Sequence, residues 1–161
     1  MTYKFAHDRI QQAVYSLIPA ADKQAIHLEV GRLLLSHLPT QKREERIFDL
    51  VNQLNQGRQL IGNQAERDQL AELNLLAGRR ASKSTAYTTA FHYFQAALAL
   101  LGKNKWQRAA IRQLTLTLHF EAAQAAYRSG DREQIEPLIE SVLEHAERLQ
   151  DKAKAVVLRI E

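Results

Sequence analysis

Six histidines are the side chains best suited to proton or phosphoryl chemistry near neutral pH: His7, His27, His37, His92, His119 and His145. No two stand three or four residues apart, the spacing that sets two metal ligands on one helical face. The chain has no cysteine, so thiolate zinc sites, cysteine nucleophiles and disulfides are excluded, and a reducing compartment fits. The sequence holds no paired-histidine zinc motif, no glycine-rich dinucleotide loop, no P-loop and no nucleophile-elbow serine. No catalytic set and no metal site is legible. His92 and His119 raise the question of phosphotransfer, because a helical domain can carry a phospho-accepting histidine on an exposed face. Such a histidine is usually followed by a lysine and a small residue. His92 is followed by Tyr93, Phe94 and Gln95, and His119 by Phe120 and Glu121, so both read first as surface or core-edge residues.

Charge offers a second kind of chemistry. The formal net charge is +4. Residues 1–112 hold 16 basic and 9 acidic side chains (+7), and residues 113–161 hold 6 and 9 (−3). The asymmetry suits steering of partners but is too mild to demand nucleic acid. Arg79, Arg80 and Lys83, with Lys103, Lys105, Arg108 and Arg112, form a basic cluster expected near the ends of neighbouring helical hairpins. It would meet phosphates or an acidic partner, or lie as a solvated face. Trp106 and the tyrosines do not interleave with it as a stacking platform would. Glu133, Glu136, Glu140, Glu144 and Glu147 make one acidic helical stripe. Tyr87, His92 and Tyr93 complete the set of candidate partner contacts.

The elements that position these groups are helical. Good helix formers fill the chain, and no alternating stretch is long enough for a strand. At 161 residues, 45% hydrophobic and 25% charged, it has the length and balance of one globular domain. The spacing predicts helices over about 7–17, 22–38, 43–55, 64–81, 85–101 and 106–129, a seventh carrying Ile135 to Leu149, and a last one over 151–161. Ile26, Val30, Leu33 and Leu34 are expected to face inward. Pro19 and Pro39 end helices, Gly130 supplies a left-handed C-terminal residue, and Asp131 is placed to cap the next helix. No apolar run approaches the ~20 residues that cross a bilayer, and the first dozen residues carry no apolar signal core.

Short connections make neighbouring helices antiparallel hairpins. Taking Gly78 as the small residue of a first helix, Ala90, Phe94 and Ala97 follow at the small–aromatic–small spacing of a tetratricopeptide repeat. Small residues let the helices approach and the aromatic fills the gap. Ala123, Ile135, Ile139 and Val142 repeat the pattern more loosely, 45 residues on. The section around Gly31 and Ile47 fits poorly. The expected fold is therefore all-α: hairpins stacked as a tetratricopeptide-like right-handed superhelix over 63–161, truncated at its C-terminus, after an irregular helical section over 1–62. An irregular helical bundle is the alternative.

The segments FAHDRIQQAVYSLIP, HLEVGRLLL, IFDLVNQLNQG and ERDQLAELNLLAGRRASKSTAYTTAFHYFQAALALL together resemble one region of very large multidomain bacterial serine/threonine kinases, especially cyanobacterial ones. In those proteins a kinase precedes a STAND-type ATPase, a helical-repeat region, a GAF domain and a sensor histidine kinase. The resemblance covers about residues 3–155 and implies that the chain is a fragment, the non-enzymatic repeat segment after the ATPase, in a cytoplasmic signalling protein. It implies ATP or ADP and Mg for the parent and no cofactor for this chain. Partners would be other domains of the same polypeptide or signalling proteins, with no membrane, nucleic acid disfavoured, and a dimer as a product of truncation. His7 and Asp8, after Phe5 and Ala6, match a histidine–aspartate pair that senses ADP in STAND proteins. A plain reading stands beside it: Asp8 caps a helix and Phe5 packs as its staple. Two further readings come from the residues alone, a histidine phosphotransfer domain using His92 or His119 and a nucleic-acid-binding helical domain.

Overall fold

In the computed structural model, which describes residue 13 and residues 15–160, residues 13 and 15–17 are helical, eight further α-helices follow, and there is no strand among the described residues. They are α1 (Ala20–His37), α2 (Thr40–Arg43), α3 (Ile47–Gln56), α4 (Gln64–Lys83), α5 (Tyr87–Leu100), α6 (Arg112–Ser129), α7 (Ile135–His145) and α8 (Leu149–Ile160). Pro19 and Pro39 stand immediately before α1 and α2. Pro137 is the third residue of α7, where its missing N–H costs nothing.

Each longer helix packs mainly on the one before and the one after: α1 on α3, α3 on α4, then α4–α5, α5–α6, α6–α7 and α7–α8. Alternate helices meet along thinner seams, α4 with α6 and α6 with α8. The main core runs from Leu28 through Leu54, Ile61 and Leu70 to Phe94, Leu118 and Ala126. A second cluster joins Leu116 and Ala123 to Ile139, Val142, Ala155 and Leu158.

A close approach joins α4 and α5. Gly78 is buried against Phe94, itself 1% exposed. A Cβ at Gly78 would lie 2.7 Å from Cδ1 and Cζ of Phe94 and closer still to Cε1. Ala90, Ala97, Ala123, Ile139 and Val142 are buried as well, and Ile135 is half-buried.

Several expectations need correction. Ile26, Val30 and Leu33 are 45%, 38% and 56% exposed. The α1 face that meets α3 is instead the one with Leu28 and Gly31, where Gly31 sits against Leu54 and Leu28 against Gly57. Periodicity gave a stripe but could not say which stripe had a neighbour. Leu149 is 82% exposed and opens α8 rather than closing α7, which ends at His145. Asp131 makes no side-chain cap; a short 3₁₀ turn over Arg132–Gln134 starts the next element. The 106–129 helix begins only at Arg112, so Trp106 sits in a loop. The 43–55 helix divides at 44–46, leaving the short α2 before α3. Gly130, at φ 82°, does end α6 in the left-handed region.

Thr85 is the one described non-glycine residue with positive φ, 59°, in the turn from α4 to α5. A β-branched residue is strained there. Replacing Thr85 with glycine should raise stability by about 1 kcal/mol. Gly78→Ala should lower it by about 1–3 kcal/mol through overpacking, despite the better helix propensity of alanine. Urea unfolding of both variants checks these signs, and Phe94→Leu combined with Gly78→Ala should recover part of the loss.

Candidate functional site

Arg79 and Lys83 stand one turn apart on α4 and project from one face. Glu121, Gln124 and Arg128 lie along the facing stripe of α6. With Ser82 and Tyr87 they line a cavity of about 420 Å³. Both Nε and Nη2 of Arg79 donate to Oε1 of Glu121, at 2.7 and 2.5 Å, tying α4 to α6 across the groove floor. Arg128 donates to the Tyr87 hydroxyl at 3.2 Å, and its guanidinium lies 5.3 Å from the ring centre. A second cavity, about 290 Å³, continues from the first past Arg79, Glu121 and Gln124. It runs over Leu116, Thr117, Phe120 and Val142 to Asp151 and Lys154 on α8. One open face of α4, α6 and α8 thus carries a groove that is cationic at one end and apolar further along.

The other sequence-derived contact residues do not all join it. Arg80 turns toward α3, donating to the carbonyl of Glu44 and lying over the Phe48 ring at 5.5 Å. Tyr93 stacks on Phe48 at 5.9 Å and donates to Oδ1 of Asn52 at 2.9 Å. Burial pushes the Tyr93 phenol pKa up, and the Asn52 bond only partly offsets this. His92 is exposed on α5 with its ring 6.3 Å from that of Phe91. His7 and Asp8 lie outside the described residues.

The single basic cluster expected around 79–112 is not one surface. Arg79, Arg80 and Lys83 are at the C-terminal end of α4. Arg108 pairs with Asp68 near the N-terminal end of the same helix, with one contact from Nη1 at 2.9 Å. Arg112 pairs with Glu147. The reason is hairpin geometry: α5 runs back along α4, so the loop after α5 returns to the start of α4, roughly 30 Å from its end at 1.5 Å per residue. Burial alone would raise the Asp68 carboxyl, but the bonds from Arg108 and Gln64 outweigh it and hold it below its ordinary value.

A feature that spacing could not reveal joins two distant histidines. The Trp106 ring stacks on His145 at 4.0 Å and 10°, and lies 4.9 Å from His119. Each imidazole donates from Nδ1 to the carbonyl four residues earlier, His119 to Thr115 at 2.8 Å and His145 to Ser141 at 3.0 Å. His119 is buried, and burial first, then the nearby positive charge of Lys105 and the neighbouring His145, pushes its pKa down to about 4; the Thr115 bond opposes this. A buried neutral imidazole with a carbonyl partner is a packing group, not an accessible acceptor. Among the described residues no cluster of three or more histidine, aspartate or glutamate side chains could hold a metal, and no helix is long and apolar enough to cross a membrane.

The chain is 33% identical, over 170 aligned positions, to hybrid signal transduction histidine kinase G of Dictyostelium discoideum; the match covers 91% of this chain and 5% of that protein. The chain thus spans about one-twentieth of the curated relative's length. No family model matches it, and no solved structure matches it.

His119 makes stability pH-dependent in a defined direction. Its folded pKa, about 4, lies below the unfolded value of about 6.5, so between those values the unfolded chain binds more protons. The stabilisation is complete above about pH 6.5 and is lost progressively toward pH 4, by ~3 kcal/mol in all. Urea midpoints measured across that range should fall for the native chain and fall less for His119→Asn. Equal slopes would remove His119 as the cause.

Proposed function

We propose that this chain is a non-catalytic helical-repeat module of a multidomain signal-transduction protein, with the groove on α4, α6 and α8 as its docking face. The observation that carries the reading is the packing order. Helices that pack mainly on their sequence neighbours form a stack of hairpins, and such a stack leaves one helix of each pair lining an open surface. In this reading α4–α5 and α6–α7 are the tetratricopeptide-like pairs and α8 opens a third, in a right-handed superhelix. The likeness to a segment of a signal transduction histidine kinase supports placing the module among signalling proteins. Its partners would be neighbouring domains of the same polypeptide, a STAND-type ATPase and kinase modules among them. ATP or ADP and Mg would be held by those domains, with His7 and Asp8 as the residues of this chain that sense the nucleotide.

The test is binding to regions that flank the chain in its parent, expressed separately. We expect micromolar binding and slowed amide exchange in α4, α6 and α8. If no flanking region binds or slows exchange, the docking reading fails.

A second reading, histidine phosphotransfer, is favoured by the likeness to a hybrid signal transduction histidine kinase, which bears on it more directly than on docking. Of its two candidate acceptors, His92 has the required exposure and His119 does not. Incubation with a phosphorylated receiver domain should then put acid-labile phosphate on His92, and His92→Gln should abolish it while His119→Asn should not. No label on either histidine discards this reading.

A further inference from the structure

The groove has two chemically different ends. At the first, Lys83 and Arg128 line the 420 Å³ cavity, and neither has a carboxylate partner among the described residues. Arg79 adds no free charge there, because it is ion-paired with Glu121. Arg80 faces away, toward Glu44 and Phe48. The first end therefore carries two uncompensated cations beside the Tyr87 hydroxyl. At the second end, Leu116, Phe120 and Val142 form the apolar wall of the 290 Å³ cavity, with Thr117 and Gln113 beside them and Asp151 and Lys154 of α8 across from them. The two cavities share Arg79, Glu121 and Gln124, so one ligand can lie across both.

The distance between the ends matches a short extended segment. From Leu116 to Arg128 α6 rises roughly 18 Å at 1.5 Å per residue. An extended strand covers that in about five or six residues at ~3.3 Å each. A nucleic-acid backbone fits poorly, since Glu121 and Asp151 alternate with Arg79 and Lys154 along the same path and leave no continuous row of cations for regular phosphates.

We infer that this groove receives an extended segment of a partner protein that carries an acidic side chain at one end and an aliphatic side chain about five residues away. The carboxylate sits between Lys83 and Arg128, where it relieves the repulsion between two cations. The aliphatic group enters the cavity over Leu116 and Val142 and is the part whose burial drives binding. The Arg79–Glu121 pair is the floor the peptide backbone crosses. This inference rests on the docking reading above and names its ligand.

The experiment uses the whole chain and fluorescein-labelled hexapeptides with two glutamates at one end and a leucine at the other, in both chain orders. Fluorescence anisotropy should show saturable binding of one order, weakening as salt is raised. Lys83→Glu combined with Arg128→Glu should weaken it at least about tenfold, and a peptide with lysines in place of the glutamates should bind that variant better than it binds the native chain. The charge-swap recovery separates lost recognition from lost folding. Replacing the peptide leucine with serine, or filling the second cavity by Thr117→Trp, should weaken binding comparably. Anisotropy that stays flat for both orders, or equal binding of a glutamine version, would overturn the inference. So would a concentration-dependent dimer that the charge reversal dissolves, since the groove would then belong to a second copy of this chain. If the peptides fail while flanking domains still bind, only the peptide inference is lost; if both fail, the docking reading falls with it.

Discussion

The packing of α5 on α4 is made possible by one missing methyl group. Gly78 lets the ring of Phe94 lie against the backbone of α4, and the α4–α5 hairpin closes on that contact. Everything downstream takes its direction from it. Once α5 returns along α4, the loop after Leu100 must arrive near Asp68, and α6 must start there and run parallel to α4. That parallel run brings Glu121 level with Arg79 and carries Arg128 past Lys83 to Tyr87. The groove is thus a consequence of hairpin closure, and its charges come from residues that share a height along two helices that are not sequence neighbours.

Polar groups fix register where apolar packing does not. Asn74 is fully buried on α4 and exchanges two side-chain bonds with Asn55 of α3, at 2.9 and 3.0 Å, while donating to the Leu70 carbonyl at 2.9 Å. A reciprocal amide pair is satisfied at only one relative shift of the two helices, and sliding would leave buried donors without acceptors. Arg32 works similarly at the surface, reaching from α1 to both oxygens of Glu66 at 2.7 and 2.9 Å. That contact holds the Glu66 carboxyl below its ordinary range. No buried side-chain donor or acceptor is left without a partner among the described residues.

The helices from Gln64 onward were legible because apolar periodicity, glycine and polar breaks agreed there. Gly78 and Phe94 were singled out from spacing, and the structure puts them in contact. Three things were not legible, for separable reasons. The inward face of α1 was misread because a helix with only one main neighbour, α3, can leave several large apolar residues bare, and periodicity carries no information about which side the neighbour takes. The basic cluster was misread because residues 83 and 103 are close in sequence yet at opposite ends of a hairpin. The Trp106 stack was missed because its three rings come from a loop and two helices, with no shared period. For the groove, Arg79, Lys83 and Tyr87 were found by charge and type, while Glu121 and Arg128 were not, since only the α4–α6 seam brings them opposite. Of the groove's apolar end, only Val142 was singled out, as a repeat residue, while Leu116 carried no signal of its own.

The same stack has a spectroscopic consequence. Trp106 is the chain's one tryptophan, so the entire indole signal originates at the joint where the loop after α5 meets α6 and α7. With one imidazole ring against its face and a second alongside, its emission reports the spacing of those rings and nothing from α1 to α4. The molecule therefore carries a native optical gauge for its C-terminal half. A change at the cationic end of the groove would be optically silent, whereas a shift of α7 relative to α6 would register without any added dye.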